Sequence, residues 1–234
     1  MCTATYIPVS QKDFVLTFNR DESPGRETLF PDFYEEGGKR LLYPKDAVAG
    51  GTWIGISDNQ RMVCLMNGAF EAHVRKPSYR KSRGLVVKDF LIFEDLDSEL
   101  ENYDLKGVEP FRSLVIDWRD ELKLTELVWD EEKLHRLDRN QKPCIWSSSP
   151  LYPKDLREKR RTWFSVFLQQ FPHPSFDEIL NFHKTSGEGN PVSNLVMDRG
   201  VVKTKSITQV VKLGKKIKLY YEDLESGKKT ELDY

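Results

Sequence analysis

An α+β fold with mainly antiparallel sheets is what this sequence predicts, and three observations carry the prediction. β-rich runs come in pairs separated by short polar turns, so hairpins outnumber βαβ units. Helical periodicity is confined to the middle of the chain, at 84–95 and from Leu156 to about residue 183. Strand-like runs then resume toward the C-terminus. Strands, helices and strands again is the order expected of antiparallel sheets covered by helices. At 234 residues, 38% hydrophobic and 12% aromatic, the chain can bury a sizeable core and is globular rather than disordered. No linker, repeat or low-complexity segment cuts it, so residues 1–234 read as a single domain.

Residues 2–9 (CTATYIPV) and 14–18 (FVLTF) form the first hairpin around Ser10-Gln11-Lys12-Asp13. The stretch from Ser23 to Ala49, with three prolines and Gly37-Gly38, reads as a long irregular segment, a functional loop or lid. Residues 51–57 and 61–67 make a second hairpin, leaving through Asn67-Gly68, a dipeptide suited to left-handed backbone. A helix over 84–95 precedes a third strand pair, 111–118 with 122–129, and a strand at 143–147 follows. Leu156, Trp163, Phe164, Phe167, Leu168 and Phe171 then recur at three- and four-residue spacing, the strongest helical signal in the chain. Pro172 and Pro174 stop that helix, and a shorter one spans 176–183. The polar run 157–161 (REKRR) reads as its solvated face. Residues 192–198, 206–213 and 216–224 are the closing strands, with Gly214-Lys215 as the last turn.

Lys and Arg number 36 against 37 Asp and Glu, a net charge of −1. That balance points to neither nucleic acid nor an anionic membrane. The stretch from His73 to Gly84 is locally basic without an acid, and such a run is usually a solvated loop. Cys2, Cys64 and Cys144 are odd in number and widely spaced, which argues against a disulfide framework or a structural zinc site. Cys64 and Cys144 fall within apolar strands and read as core. The four histidines form no i, i+4 pair, so no metal ligand set is expected, and no cofactor. No secretory signal is visible, and no apolar stretch approaches the roughly 20 residues of a membrane helix. A cytoplasmic protein fits best, and a homo-oligomer is compatible with it.

The second residue is a cysteine, and removal of Met1 would put a thiol and a free α-amine on one residue. An α-amine with a pKa of roughly 7.7–8.0 accepts a proton near neutrality, so the pair combines nucleophile and general base. A free cysteine is otherwise a small buried hydrophobe. Asn19-Arg20-Asp21-Glu22 lies one hairpin away. It is either a solvated strand end or the cluster such a nucleophile needs: a carboxylate to hold the ammonium or the thiol's partner, and a guanidinium to favour a thiolate or a substrate carboxylate. Asn67 is a turn residue or a carboxamide donor to a developing oxyanion. Ser147-Ser148-Ser149 either caps the following helix or donates hydrogen bonds at the site.

These pieces, with Cys2-Thr3, Gly50-Gly51-Thr52-Trp53-Ile54-Gly55 and Ser82-Arg83-Gly84, resemble the NRDE family over nearly the whole length. That family includes the transport-and-Golgi-organisation-2 proteins. It is similar in turn to the choloylglycine-type N-terminal nucleophile hydrolases, which also begin Cys-Thr and carry an aspartate at the spacing of Asp21. The resemblance implies a four-layer αββα sandwich. It also implies a mechanism in which Cys2 attacks an amide carbonyl, its own amine relays the proton, Asp21 positions that amine, and Asn67 serves the oxyanion hole. Asn19, Arg20, Glu22, Ser148, Lys205 and Arg83 become supporting or substrate-binding residues. The chain departs from those hydrolases at Phe18, where they have arginine, with Arg20 shifted by two. Ser148 aligns with their second asparagine, and Lys205 with a late arginine whose bidentate fork a lysine lacks. Two functions are expected from this: hydrolysis of a small amide through a Cys2 thioester, or non-catalytic binding of a small ligand, haem or an acyl conjugate, on the same fold. For haem, His73 or a cysteine would be the axial ligand.

Overall fold

Short polar turns close antiparallel hairpins throughout the computed structural model, which describes residues 2–234. In chain order the elements are β1 (Cys2–Pro8), β2 (Phe14–Glu22), β3 (Thr28–Glu36), β4 (Lys39–Asp46), β5 (Ile54–Ser57), β6 (Arg61–Asn67), α1 (Arg83–Ile92), α2 (Leu96–Glu101), β7 (Phe111–Asp117), β8 (Lys123–Trp129), β9 (Leu134–Arg139), β10 (Cys144–Ser147), α3 (Lys154–Gln170), α4 (Phe176–Thr185), β11 (Lys203–Leu213), β12 (Lys216–Asp223) and β13 (Lys229–Asp233). They divide into two compact units, the segment ending at Gly25 with Gln141–Tyr234, and Arg26–Asn140.

The first unit is a six-stranded antiparallel sheet in the order β10-β1-β2-β11-β12-β13. The expected hairpin of β1 and β2 forms around the Asp13 turn, where Ser10 Oγ donates to Asp13 Oδ2 at 2.8 Å. Both strands are buried almost throughout, so their polar residues must find internal partners. One face of the sheet carries the helices: Phe164 and Phe167 of α3 and Ile179 and Phe182 of α4 pack with Ile7, Val15 and Leu195. α4 starts on a capping box of Ser175 and Glu178, while α3 starts at Pro153 with no side-chain cap. The serine triplet therefore does not cap α3.

The second unit is a seven-stranded meander, β3 through β9 in sequence order, every pairing antiparallel. α1 packs on it through Val86, Val87, Phe90 and Leu91, against Leu41, Tyr43, Val63 and Leu65. Its approach depends on glycine. A Cβ on Gly51 would lie 2.4 Å from the Gly84 carbonyl carbon, and Thr52 N–H donates to Gly84 O at 3.1 Å. Backbone meets backbone there, and neither can retreat. Gly51→Ala is expected to cost roughly 2–3 kcal/mol, the scale of core overpacking, read as a lowered urea midpoint. An unchanged midpoint would contradict the close packing.

Several expectations need correction. Residues 23–49 are largely an ordered hairpin, β3 and β4, turning at Gly37 and Gly38, whose φ values are +57° and +74°. Pro31 hides it from a strand reading, but it sits on an edge strand at an irregularity between Leu29 and Asp32, where a missing N–H is harmless. β9 and β13 are edge strands too charged to show an apolar alternation, and α2 is a short helix beyond the 84–95 prediction. Residues 192–198 form turns rather than a strand. Leu195 and Met197 are buried, yet side chains take up the carbonyls of Ser193, Asn194 and Leu195. Backbone pairing with β11 is limited to Met197 O, which accepts from Thr204 N–H at 2.8 Å, and an isolated bridge of Asp198 with Lys203. Cys64 is core as expected, whereas Cys144 is half-buried.

Candidate active site

Strand register assembles the leading residues. Cys2 lies opposite Arg20 and Thr3 opposite Asn19, while β11 brings Thr204 opposite Asp21. Alternation then sorts the side chains by face. Thr3, Asn19, Asp21 and Thr204 point to the helix-bearing face, and Cys2 and Arg20 to the other. The chain segment leaving β10 closes the site. Ser148 N–H donates to Cys2 O at 3.0 Å, and Ser148 Oγ accepts from Cys2 N at 3.1 Å. Cys2 is 3% exposed and Asp21 fully buried.

Asp21 is held at both oxygens. Thr204 Oγ1 donates to Oδ1 at 2.7 Å, and the Tyr152 hydroxyl donates to Oδ2. Behind Tyr152 stands Arg160, its guanidinium carbon 3.6 Å from the ring centroid. Arg160 also donates to Thr3 Oγ1, to Asn194 O at 2.7 Å and to Ser193 O at 3.2 Å. The residue expected to solubilise α3 is thus completely buried. Its spacing carried the signal: Leu156, Arg160, Phe164 and Phe167 are one helical stripe. Tyr152 and Thr204 carry no comparable signal, because their partners lie more than a hundred residues away.

Burial pushes the Cys2 thiol up, the Asp21 carboxylate adds to that, and the Arg20 guanidinium and the Asp21 backbone N–H oppose it. Burial also raises Asp21, opposed by Arg160 and by the Tyr152 and Thr204 donors. Tyr152 is held well above its ordinary value by burial and by Asp21, so it stays a donor.

Asn19 serves the fold beside this cluster. Its Nδ2 donates to His183 O and Leu195 O, both at 3.0 Å, which fixes the amide orientation. Asn19 Oδ1 then accepts from His183 Nδ1 at 2.7 Å, leaving His183 Nε2 to accept from Thr5 Oγ1 at 2.7 Å. His183 is a neutral imidazole, pushed down to about 3 by burial first and Arg160 second. The sign follows. The unfolded chain takes up a proton below the ordinary histidine value of 6.5, and the folded one does not until about 3. His183 therefore removes up to about 1.4 kcal/mol of stability per pH unit as pH falls through that window. Asp21, raised by burial, acts in the opposite sense, so the contribution is read by subtraction. Between pH 6.5 and 5, the stability of His183→Gln should fall less steeply than that of the wild type in urea titrations. Parallel slopes would refute the assignment.

The remaining expected site residues are placed as follows. Arg20 is 4% exposed and lies 3.9 Å from Glu22, whose Oε1 accepts from Ser23 N–H at 2.8 Å. Lys205 falls at the irregularity of β11 between Thr204 and Ser206, beside Asp21. Its Nζ donates to Pro24 O at 2.7 Å and pairs with Glu225 at 2.7 Å. Asn67 and Arg83 belong to the second unit. Asn67 ends β6 opposite Phe111, and Gly68 follows at φ +80° with its N–H on Pro110 O at 2.9 Å. Arg83 opens α1 and donates to that same carbonyl at 3.1 Å while pairing with Glu109 at 3.0 Å. Arg83 therefore braces the turn that carries Asn67. His73 Nε2 also sits on Glu109, at 3.2 Å. Lys76, Arg80 and Lys81 pair with Glu131, Asp104 and Asp89, so acids from outside the basic stretch neutralise it. Among the described residues no His, Cys, Asp and Glu gather as a metal site, and no helix is long and apolar enough to cross a membrane.

Comparison with known proteins places this geometry. The family model for Transport and Golgi organisation 2 matches residues 1–142. No curated protein matches the chain. Among solved structures, a variant of conjugated bile acid hydrolase from Clostridium perfringens is similar at TM-score 0.57 and 11% identity, over 99% of this chain and 92% of that one. Penicillin V acylase from Agrobacterium tumefaciens is similar at TM-score 0.56 and 10% identity, over 99% of this chain and 86% of that one. The Caenorhabditis elegans N-acylethanolamine-hydrolyzing acid amidase ortholog is similar at TM-score 0.62 and 12% identity, over 90% and 92%. The likeness shows the fold, the α+β class of the N-terminal nucleophile hydrolases. Each unit carries one antiparallel sheet and its own helices.

Proposed function

The chain belongs to the Transport and Golgi organisation 2 family, and from that premise we propose that it is a cysteine N-terminal nucleophile hydrolase of small acyl amides. Residues 1–234 act as one domain in this reading, and removal of Met1 frees the Cys2 amine. The amine takes the thiol proton as sulfur attacks the amide carbonyl. A carboxamide donor to the tetrahedral oxyanion is the role that the resemblance implies for Asn67. Collapse breaks the C–N bond, the ammonium protonates the departing amine, and a thioester remains on Cys2. Water, deprotonated by the same α-amine, then releases the acid and restores the thiol. Asp21 holds the ammonium, Arg20, Ser148 and Lys205 keep its surroundings in place, and Arg83 braces the Asn67 turn within its own unit.

One observation carries the reading: the Cys2 nitrogen lies 3.1 Å from Ser148 Oγ at a strand end flanked by a buried aspartate. A hydroxyl and a carboxylate are what a catalytic amine needs to be oriented. Similarity to proteins named as a hydrolase, an acylase and an amidase supports the reaction class. Three cysteines without a disulfide support a reducing, cytoplasmic setting. The test is intact-protein mass after incubation with a p-nitrophenyl acyl ester. Acylation confined to Cys2 is expected, and equal acylation of Cys64 and Cys144 would overturn the assignment. The second reading, ligand binding without catalysis, is favoured by the thiol being pushed up by burial; it predicts saturable acyl-ligand binding with no adduct.

A further inference from the structure

We propose that Tyr152, backed by Arg160, is a positioning residue that fixes Asp21 as an oriented carboxylate. The role of that carboxylate toward the Cys2 amine rests on the hydrolase reading above. Burial by itself favours a protonated, freely rotating carboxyl, so an ionised aspartate with no surface exposure requires donors. Both oxygens have one. Thr204 Oγ1 accepts from Met197 N–H at 2.9 Å, which directs its own proton to Asp21 Oδ1. The Tyr152 hydroxyl serves Oδ2, and a phenol facing a carboxylate can only donate.

Arg160 supplies the charge behind this contact. Its guanidinium carbon sits 3.6 Å from the Tyr152 ring centroid, and a cation over the ring polarises the hydroxyl toward its acceptor. The cation is pinned by Thr3 Oγ1 and by the carbonyls of Ser193 and Asn194. It therefore reaches Asp21 through an aromatic spacer rather than neutralising it in a direct ion pair. The ionisable groups around Asp21 are Tyr152 before α3 and Arg160 within α3 on its own face, with Cys2 of β1 and Arg20 of its own strand on the other face and Lys205 of β11 alongside. Of these, Tyr152 and Arg160 favour its ionised form. A phenol fits because it stays protonated beside an anion where a lysine would form a salt bridge and a serine would not reach.

Tyr152→Phe removes one oxygen and leaves the ring under Arg160, so the fold should survive. Two readouts are needed. The first is the ¹³C carboxyl titration of Asp21, expected to move upward by about one to two pH units, the value of a hydrogen bond to a charged acceptor. The second is the pH profile of Cys2 acylation by a p-nitrophenyl acyl ester, whose acid limb should move upward by the same amount. That shift means about a tenfold or greater loss of rate at a pH on the limb. A carboxyl titration unchanged from wild type would overturn the assignment. If the titration moves while neither protein acylates, the positioning of Asp21 stands and the hydrolase reading falls.

Discussion

Cys2→Ala is expected to abolish acyl transfer while leaving the molecule folded. The sulfur is the only atom the substitution removes, and at 3% exposure it packs as a small apolar group. Its loss should cost about 1 kcal/mol of stability, the scale of one buried methylene. The rate of acyl-enzyme formation should drop on the order of 10⁴-fold or more, the range seen when a nucleophile is deleted. Cys2→Ser keeps the volume and the Ser148 contact but replaces a thiol with a far weaker acid, so it should retain at most a small residual rate. Stopped acylation assays, with circular dichroism on the same samples, check both. Turnover in Cys2→Ala equal to wild type would show that the chemistry lies elsewhere in the chain.

Arg160→Met is expected to give the largest stability loss of any single substitution on α3. The guanidinium is fully buried and donates to three oxygens from two separate segments, Thr3 of β1 and the Ser193–Asn194 turn. Methionine fills the space but leaves those oxygens and the Tyr152 ring face without their partner. Buried acceptors stripped of a charged donor typically cost about 3–5 kcal/mol. Arg160→Lys keeps the charge and loses the fork, so it should fall between, near 2 kcal/mol. Urea denaturation reads the difference. A Met variant within about 0.5 kcal/mol of wild type would mean that the network is not structural.

These two residues also mark where the sequence is legible. The hairpins of β1 with β2, β5 with β6 and β7 with β8 are readable because alternation and turn chemistry agree at each. That the Asn19–Glu22 strand end comes back beside Cys2 is readable, because the hairpin length fixes which residues meet. Resemblance named the glycines at 50, 51 and 84, but only coordinates show that Gly51 and Gly84 touch backbone to backbone. Arg160 is misread from its polar neighbours in REKRR, although its place on the Leu156–Phe164 stripe was visible. The Asn19–His183–Thr5 chain is not readable at all, since it joins three elements whose pairing is a tertiary outcome. The apolar run at 192–198 misleads for the same reason: its central carbonyls, of Ser193, Asn194 and Leu195, are taken by Arg160 and Asn19, so burial there does not mean a strand.

The proposed mechanism requires a free amine at Cys2. Intact mass and N-terminal sequencing of the purified full-length protein test it most directly. The expected result is a chain that has lost Met1 and begins with an unblocked Cys2-Thr3. A chain that keeps Met1, or carries an acylated Cys2 nitrogen, would have no base on its nucleophile and would contradict the mechanism outright.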